Sequence, residues 1–188
     1  MDEVTGWALD AAAGDPSALH RFVLATQAEV WRFCAHLGNP DSADDLTQEV
    51  YLRAIRALPR FRGDASARTW LLAIARRTVA DHIRALQRHR ARLAAVPLPT
   101  CTPPVDGPVV LRAVVAQLPQ NRREAFVLTQ LLGLSYAETA AVCHCPVGTV
   151  RSRVARARAD LVEAIAEPHQ VEPEEDGQGD RPSTSSTP

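Results

Sequence analysis

The chain has 188 residues, with 22 acidic and 21 basic side chains and a formal net charge of −1. That length buries a core without staples and holds one ordinary domain or two small ones. An acidic start and no apolar run near the ~20 residues of a membrane helix argue against a secretory leader and a spanning segment, and predict a cytoplasmic protein with no membrane partner.

The charge is segregated. Residues 1–59 carry nine acidic and four basic groups, 60–92 two and nine, 146–158 none and four, and 159–188 eight and one. Two basic islands therefore stand in an acidic chain. Every basic side chain is arginine, able to make forked contacts to phosphate or guanine. Cys34, Cys101, Cys143 and Cys145 lack the spacing of a disulfide framework and are expected as free thiols.

Residues 4–37 predict two helices broken near Gly14, Asp15 and Pro16. Leu19, Phe22, Val23, Val30, Phe33, Cys34 and Leu37 form an apolar stripe, to which Trp7 and Trp31 add. Gly38, Asn39 and Pro40 end that pair, and Asp41 or Ser42 caps a helix running to Leu58 before Pro59 stops it. Leu46, Val50, Ala54 and Leu58 face the core. Another face gathers Asp45, Gln48, Glu49, Leu52 and Arg56. A solvated surface explains those charges but not the leucine among them, so a docking surface stands as the alternative.

Arg60–Ala65 predicts a loop in which Gly63 is free to take unusual backbone angles. Ser66 caps a helix from about Ala67 to Arg88, where Trp70, Leu71, Ile74, Val79, Ile83 and Leu86 alternate with Arg68, Arg76, Arg77, Arg84 and Arg88. Trp70 alone reads as core. The combination suits single-stranded DNA, because phosphates need cations and unstacked bases need a flat surface or pocket.

The stretch from Leu93 to Gly107 is rich in proline and poor in apolar mass, which predicts a stiff linker holding two modules near one ligand. Val109–Gln117 predicts a helix, and Arg122–Leu132 another ended by Gly133. Leu111, Val114, Val115, Phe126, Val127, Leu131 and Leu134 supply the core of this second domain. Ser135 precedes Glu138 by three, a capping box opening a helix to about Cys143, with Ala137, Ala140 and Ala141 small enough for close packing. After a break at His144, Pro146 fits the first turn of a further helix. Val147, Val150 and Val154 face its core, and Arg151, Ser152, Arg153, Arg156 and Arg158 lie on its other sides with no acidic residue among them. Two short helices with a tight turn, the second bearing unneutralised arginines, predict a helix-turn-helix for the DNA major groove. Pro168–Pro188 is acidic and rich in Pro, Ser and Thr, the composition of a disordered tail.

The run from Cys145 to Arg153, continued by Arg156, Ala157 and Arg158, resembles region 4 of the extracytoplasmic-function (ECF) sigma factors of bacterial RNA polymerase. Asp44–Ala54, Phe61–Asp64 and Thr69–Leu71 resemble region 2 of the same sigma-70 family, in the right order. The resemblance implies an all-α protein of two small helical domains: region 2 over 1–92, a linker over 93–107, region 4 over 108–167 and a tail over 168–188. It implies a non-enzymatic factor without cofactors that binds core RNA polymerase and directs initiation at promoter DNA. Asp45, Gln48, Glu49 and Leu52 would dock on the β′ coiled coil, with the β flap as a further polymerase contact. Phe61, Arg62, Asp64, Arg68, Trp70, Arg76 and Arg77 would recognise and melt the −10 element, with Phe61–Arg68 shaping a pocket for an extruded base. Thr149, Arg151, Ser152, Arg153, Arg156 and Arg158 would hold the −35 element. An anti-sigma factor is a possible partner.

Other readings fit less well. Cys143, His144 and Cys145 invite zinc, but adjacent side chains in a turn diverge, and His169 is the sole extra ligand nearby. The paired acids Asp44 and Asp45 have no His, Ser or Cys cluster to support catalysis. A helix-turn-helix regulator independent of polymerase is the main alternative. Against it, residues 1–92 show no sensor-domain pattern and carry their own basic, aromatic surface.

Overall fold

The computed structural model describes residues 2–93 and 113–166. Every regular element among them is helical: α1 (Glu3–Ala12), α2 (Pro16–Leu37), α3 (Ala43–Ala57), α4 (Ala67–Leu93), α5 (Gln120–Phe126), α6 (Tyr136–Cys143) and α7 (Val147–Ala166). Residues 113–117 are also helical. The predicted linker beyond Leu93, Cys101, Val109–Arg112 with Leu111, and the tail with His169 lie outside the described residues.

Local chemistry explains where the helices start and stop. The Asp2 carboxylate accepts from the Thr5 backbone at 2.9 Å and from its hydroxyl at 2.7 Å, opening α1. Thr5 Oγ1 in turn accepts from the Ala67 backbone at 2.9 Å, so α1 caps α4 across 62 residues of sequence. Asp15 caps α2 through the Ser17 amide, and Gly14 between the two helices has φ +103°. At Gly38 a side chain is excluded, because a Cβ would lie 2.7 Å from Leu46 Cδ1 and 2.9 Å from the Cys34 carbonyl oxygen. Neither Asp41 nor Ser42 caps α3: Asn39 caps a short 3₁₀ turn, Pro40–Ser42, that leads into it, and Ser42 makes no side-chain cap bond. A 3₁₀ turn spends its N–H groups on tighter bonds, so α3 begins without a dedicated cap. Helix α4 extends past the expected end at Arg88 to Leu93, since nothing before the proline-rich stretch breaks it.

The first half packs α2, α3 and α4 around Phe22, Val30, Phe33, Val50, Leu71, Leu72 and Val79, all at most 2% exposed. Leu46, Ala54 and Leu58 complete the core face of α3 as expected. Trp7 is partly buried beneath Arg21, whose guanidinium carbon lies 5.8 Å from the ring centroid. Trp31 does not join the core. It is 42% exposed and donates from Nε1 to Asp44 at 2.8 Å, because an indole is satisfied with one wet edge.

In the second half α5 continues as a π-helical segment, Val127–Leu131, with the Leu132 amide reaching the Val127 carbonyl. Gly133, at φ +71°, then lets the Leu134 amide return to the Leu128 carbonyl and end the element. The halves are not separate. One buried apolar cluster runs from Phe22, Phe33 and Leu71 to Leu128, Val142 and Leu161, with α4 against α6 and α2 against α5.

Candidate nucleic-acid interface

The helix-turn-helix forms as predicted. Ser135 Oγ accepts from the Glu138 amide at 3.2 Å, and Glu138 accepts from the Ser135 amide at 2.8 Å and its hydroxyl at 2.7 Å. Those bonds hold the Glu138 carboxyl below its ordinary pKa. His144 ends α6 in the left-handed region, φ 51°, a conformation that histidine tolerates better than branched residues do. Val150, Val154, Ala157 and Leu161 bury one face of α7. Two expectations change here. Val147 is 38% exposed instead of facing the core; as the first residue of α7 it projects beyond the α6 contact. Ala137 and Ala141 are exposed, and Ala140 alone of the three is buried.

On the outer face of α7, Arg151, Ser152 and Arg156 are exposed. Among the described residues neither Arg151 nor Arg156 has a hydrogen bond or ion pair. The Ser152 hydroxyl donates to the Thr149 carbonyl at 3.0 Å, which leaves its oxygen able to accept. Thr149 and Arg153 are half-buried, with Arg153 Nη1 3.7 Å from Cys145 Sγ. Arg158 is exposed and donates to Gln130 at 2.7 Å.

The loop ahead of α4 builds a second surface. Gly63 has φ +76°, and Ser66 Oγ caps α4 by accepting from the Thr69 amide at 3.1 Å. The rings of Phe61 and Trp70 lie 4.9 Å apart at 43°. A cleft of about 380 Å³ over them is lined by Arg60–Ala65 and Trp70, with Arg62 and Asp64 exposed at its rim.

The remaining arginines of that surface contact other parts of the molecule, Arg68 and Arg76 half-buried and Arg77 exposed. Arg68 forms a very short pair with Glu29 and also donates to the Leu132 carbonyl of the second half; the Glu29 bond raises its pKa. Arg76 Nε donates to Glu124 Oε2 at 2.7 Å, with the Glu124 side chain 5% exposed. Burial works against the charge on Arg76, but the bond to Glu124 prevails and its pKa rises. Arg77 Nη2 lies 3.0 Å from His144 Nε2. So the contact between the halves uses the cations that the sequence assigns to a nucleic-acid strand.

Asp45, Gln48, Glu49 and Leu52 share α3 but border two grooves. Asp45 and Glu49 line one with Thr78, Asp81 and Arg88, where Arg53 bridges Glu49 at 2.6 Å and Asp81 at 2.8 Å. Gln48 and Leu52 line the other, an apolar groove of about 450 Å³ shared with Val23, Gln27, Tyr51 and Ile55. Leu52 and Ile55 are 51% and 44% exposed.

Residues 22–89 match the family described as Sigma-70 region 2, and residues 109–161 match Sigma-70, region 4. The chain belongs to the ECF sigma factors of the sigma-70 family. It is similar to the ECF RNA polymerase sigma factor SigC of Mycobacterium tuberculosis, 54% identical over 89% of this chain and 93% of the relative. The ECF RNA polymerase sigma-E factor of Escherichia coli is 33% identical over 77% and 85%. Among solved structures, the sigma factor RpoE of Bartonella quintana in complex with the anti-sigma factor NepR aligns with a TM-score of 0.71 at 26% identity, covering 80% of this chain and 98% of that one. CnrH in complex with the cytosolic domain of CnrY aligns at 0.69 and 27%, covering 87% and 97%. The protein is thus an RNA polymerase sigma factor that directs transcription initiation, binds polymerase and DNA, and is not an enzyme. Among the described residues no helix of this sigma factor is long and apolar enough to cross a membrane.

Sequence reasoning missed Glu124, Glu29 and His144, whose roles depend on which arginine folds against them. Ile55 was within reach, three residues after Leu52 on the same face.

Proposed function

We propose that this sigma factor reads the −35 element as duplex through α7 and captures the −10 element as single strand through the loop before α4. Arg151 and Arg156 carry the proposal: both are exposed and unpaired on a helix whose opposite face is fully packed. Two such cations, with Ser152 between them, are free to reach base edges, while Thr149, Arg153 and Arg158 meet phosphates beside them. The Phe61–Trp70 pair, with Arg62 and Asp64 at its rim, supports capture of an extruded base. Arg68, Arg76 and Arg77 then exchange Leu132, Glu124 and His144 for the strand, so the promoter-bound form has its halves apart.

The exposed Leu52, with Asp45, Gln48 and Glu49 around it, docks on the β′ coiled coil. The β flap meets the second half, where Val162 and Ile165 are 68% and 67% exposed at the end of α7. A cognate anti-sigma factor is a further partner, as NepR is for the solved RpoE of Bartonella quintana, and the site of action is the cytoplasm.

Permanganate footprinting of the polymerase complex tests the division of labour. Trp70→Ala should leave closed complexes nearly intact but slow opening, and a pre-melted −10 bubble should rescue it. Arg156→Ala should weaken closed complexes, and the bubble should not rescue it. Equal rescue of both, or of neither, would sink the proposal.

A further inference from the structure

Helix α7 carries an exposed apolar side chain that its packing does not require. Val150 and Val154 are 0% and 1% exposed and already supply the buried face, whereas Val147 is 38% exposed. Valine is also a weaker helix former than alanine or the longer unbranched residues, so an exposed valine gains nothing from propensity. Its place on the helix suggests what it does gain. Val147, Arg151 and Ala155 recur at intervals of four and form one row; Gly148, Ser152 and Arg156 form the next. Gly148 between the rows is exposed, and a Cβ built there meets nothing within 4 Å.

We propose that Val147 is a specificity-determining residue, its methyl groups packing on the 5-methyl of a thymine near the guanine bound by Arg151. The inference rests on the reading of α7 as the base-reading helix. Four residues rise ~6 Å along a helix and base pairs step by ~3.4 Å, so the thymine lies within about two base pairs of that guanine. The thymine methyl is displayed in the major groove, and an apolar side chain is what distinguishes it from the other groups there. An arginine or serine at this position would favour acceptors and leave the methyl unread.

The test uses the full chain bound to core polymerase and duplex promoters selected by that complex from a library randomised at −35. Each thymine is replaced in turn by uracil, which removes the methyl and nothing else. Wild type should lose roughly fourfold in affinity at one thymine within two base pairs of the guanine that Arg151 reads, the loss expected for about one methyl group. In Val147→Ala that uracil penalty should vanish while the guanine preference persists. Because the side chain is exposed and alanine favours helix, this variant should fold as wild type does. No uracil penalty in that window, or an equal one in Val147→Ala, overturns the inference and leaves the α7 reading standing. If Arg151→Ala keeps every wild-type base preference, the α7 reading itself fails and the inference falls with it.

Discussion

Replacing Glu124 by alanine should open the two halves and raise affinity for a single-stranded −10 oligonucleotide. The side chains of Glu124 and Arg76 are 5% and 27% exposed, and their pair spans the contact at 2.7 Å. Removing one partner of a buried pair costs about 3–5 kcal/mol while the other charge stays buried. Arg76 keeps some solvent contact, so the lower end applies. Separation returns Arg76 to water and relieves that cost, so the closed-to-open ratio should fall by up to about a hundredfold at ~1.4 kcal/mol per decade. Small-angle scattering should report a larger radius of gyration, and fluorescence anisotropy should report tighter binding with a steeper salt dependence from the released cation. Since the substitution also deletes a negative charge, Glu163→Ala on exposed α7 surface is the matched control. An unchanged radius, or strand affinity no greater than in the control, would refute the reasoning.

Leu52→Asp should abolish copurification with core polymerase while circular dichroism stays unchanged, because the side chain is 51% exposed and lies outside the buried core. Ser135→Ala should cost about 0.5–2 kcal/mol in chemical denaturation by removing the cap of α6. The folded-state pKa of Glu138 is lowered chiefly by its bond from the Ser135 side chain, so its contribution is present above the unfolded value of ~4.3 and lost as pH falls through the folded one; the deficit of Ser135→Ala should shrink in acid. Burial pushes the Cys34 and Cys143 thiols up to about 11, so brief iodoacetamide treatment at pH 7.5, read by mass spectrometry, should leave both unlabelled unless the protein is first denatured.

Local chemistry made much of the molecule legible in advance. A capping box needs only Ser135 and Glu138 three residues apart, and the break at Gly14 to Pro16 follows from residues that cannot continue a helix. The core faces of α3 and α7 follow from apolar side chains recurring at helical spacing, and segregation of arginines marked both surfaces proposed to meet nucleic acid. Each of these is decided within one or two turns of chain. Where Arg68, Arg76 and Arg77 spend their charge was decided only by tertiary structure, because Glu29, Leu132, Glu124 and His144 lie 39 to 67 residues away. The exposure of Val147 and Trp31 is likewise a tertiary outcome. Apolar periodicity names the residues that can be buried, but a helix end or an indole edge stays in water when no neighbouring element reaches it.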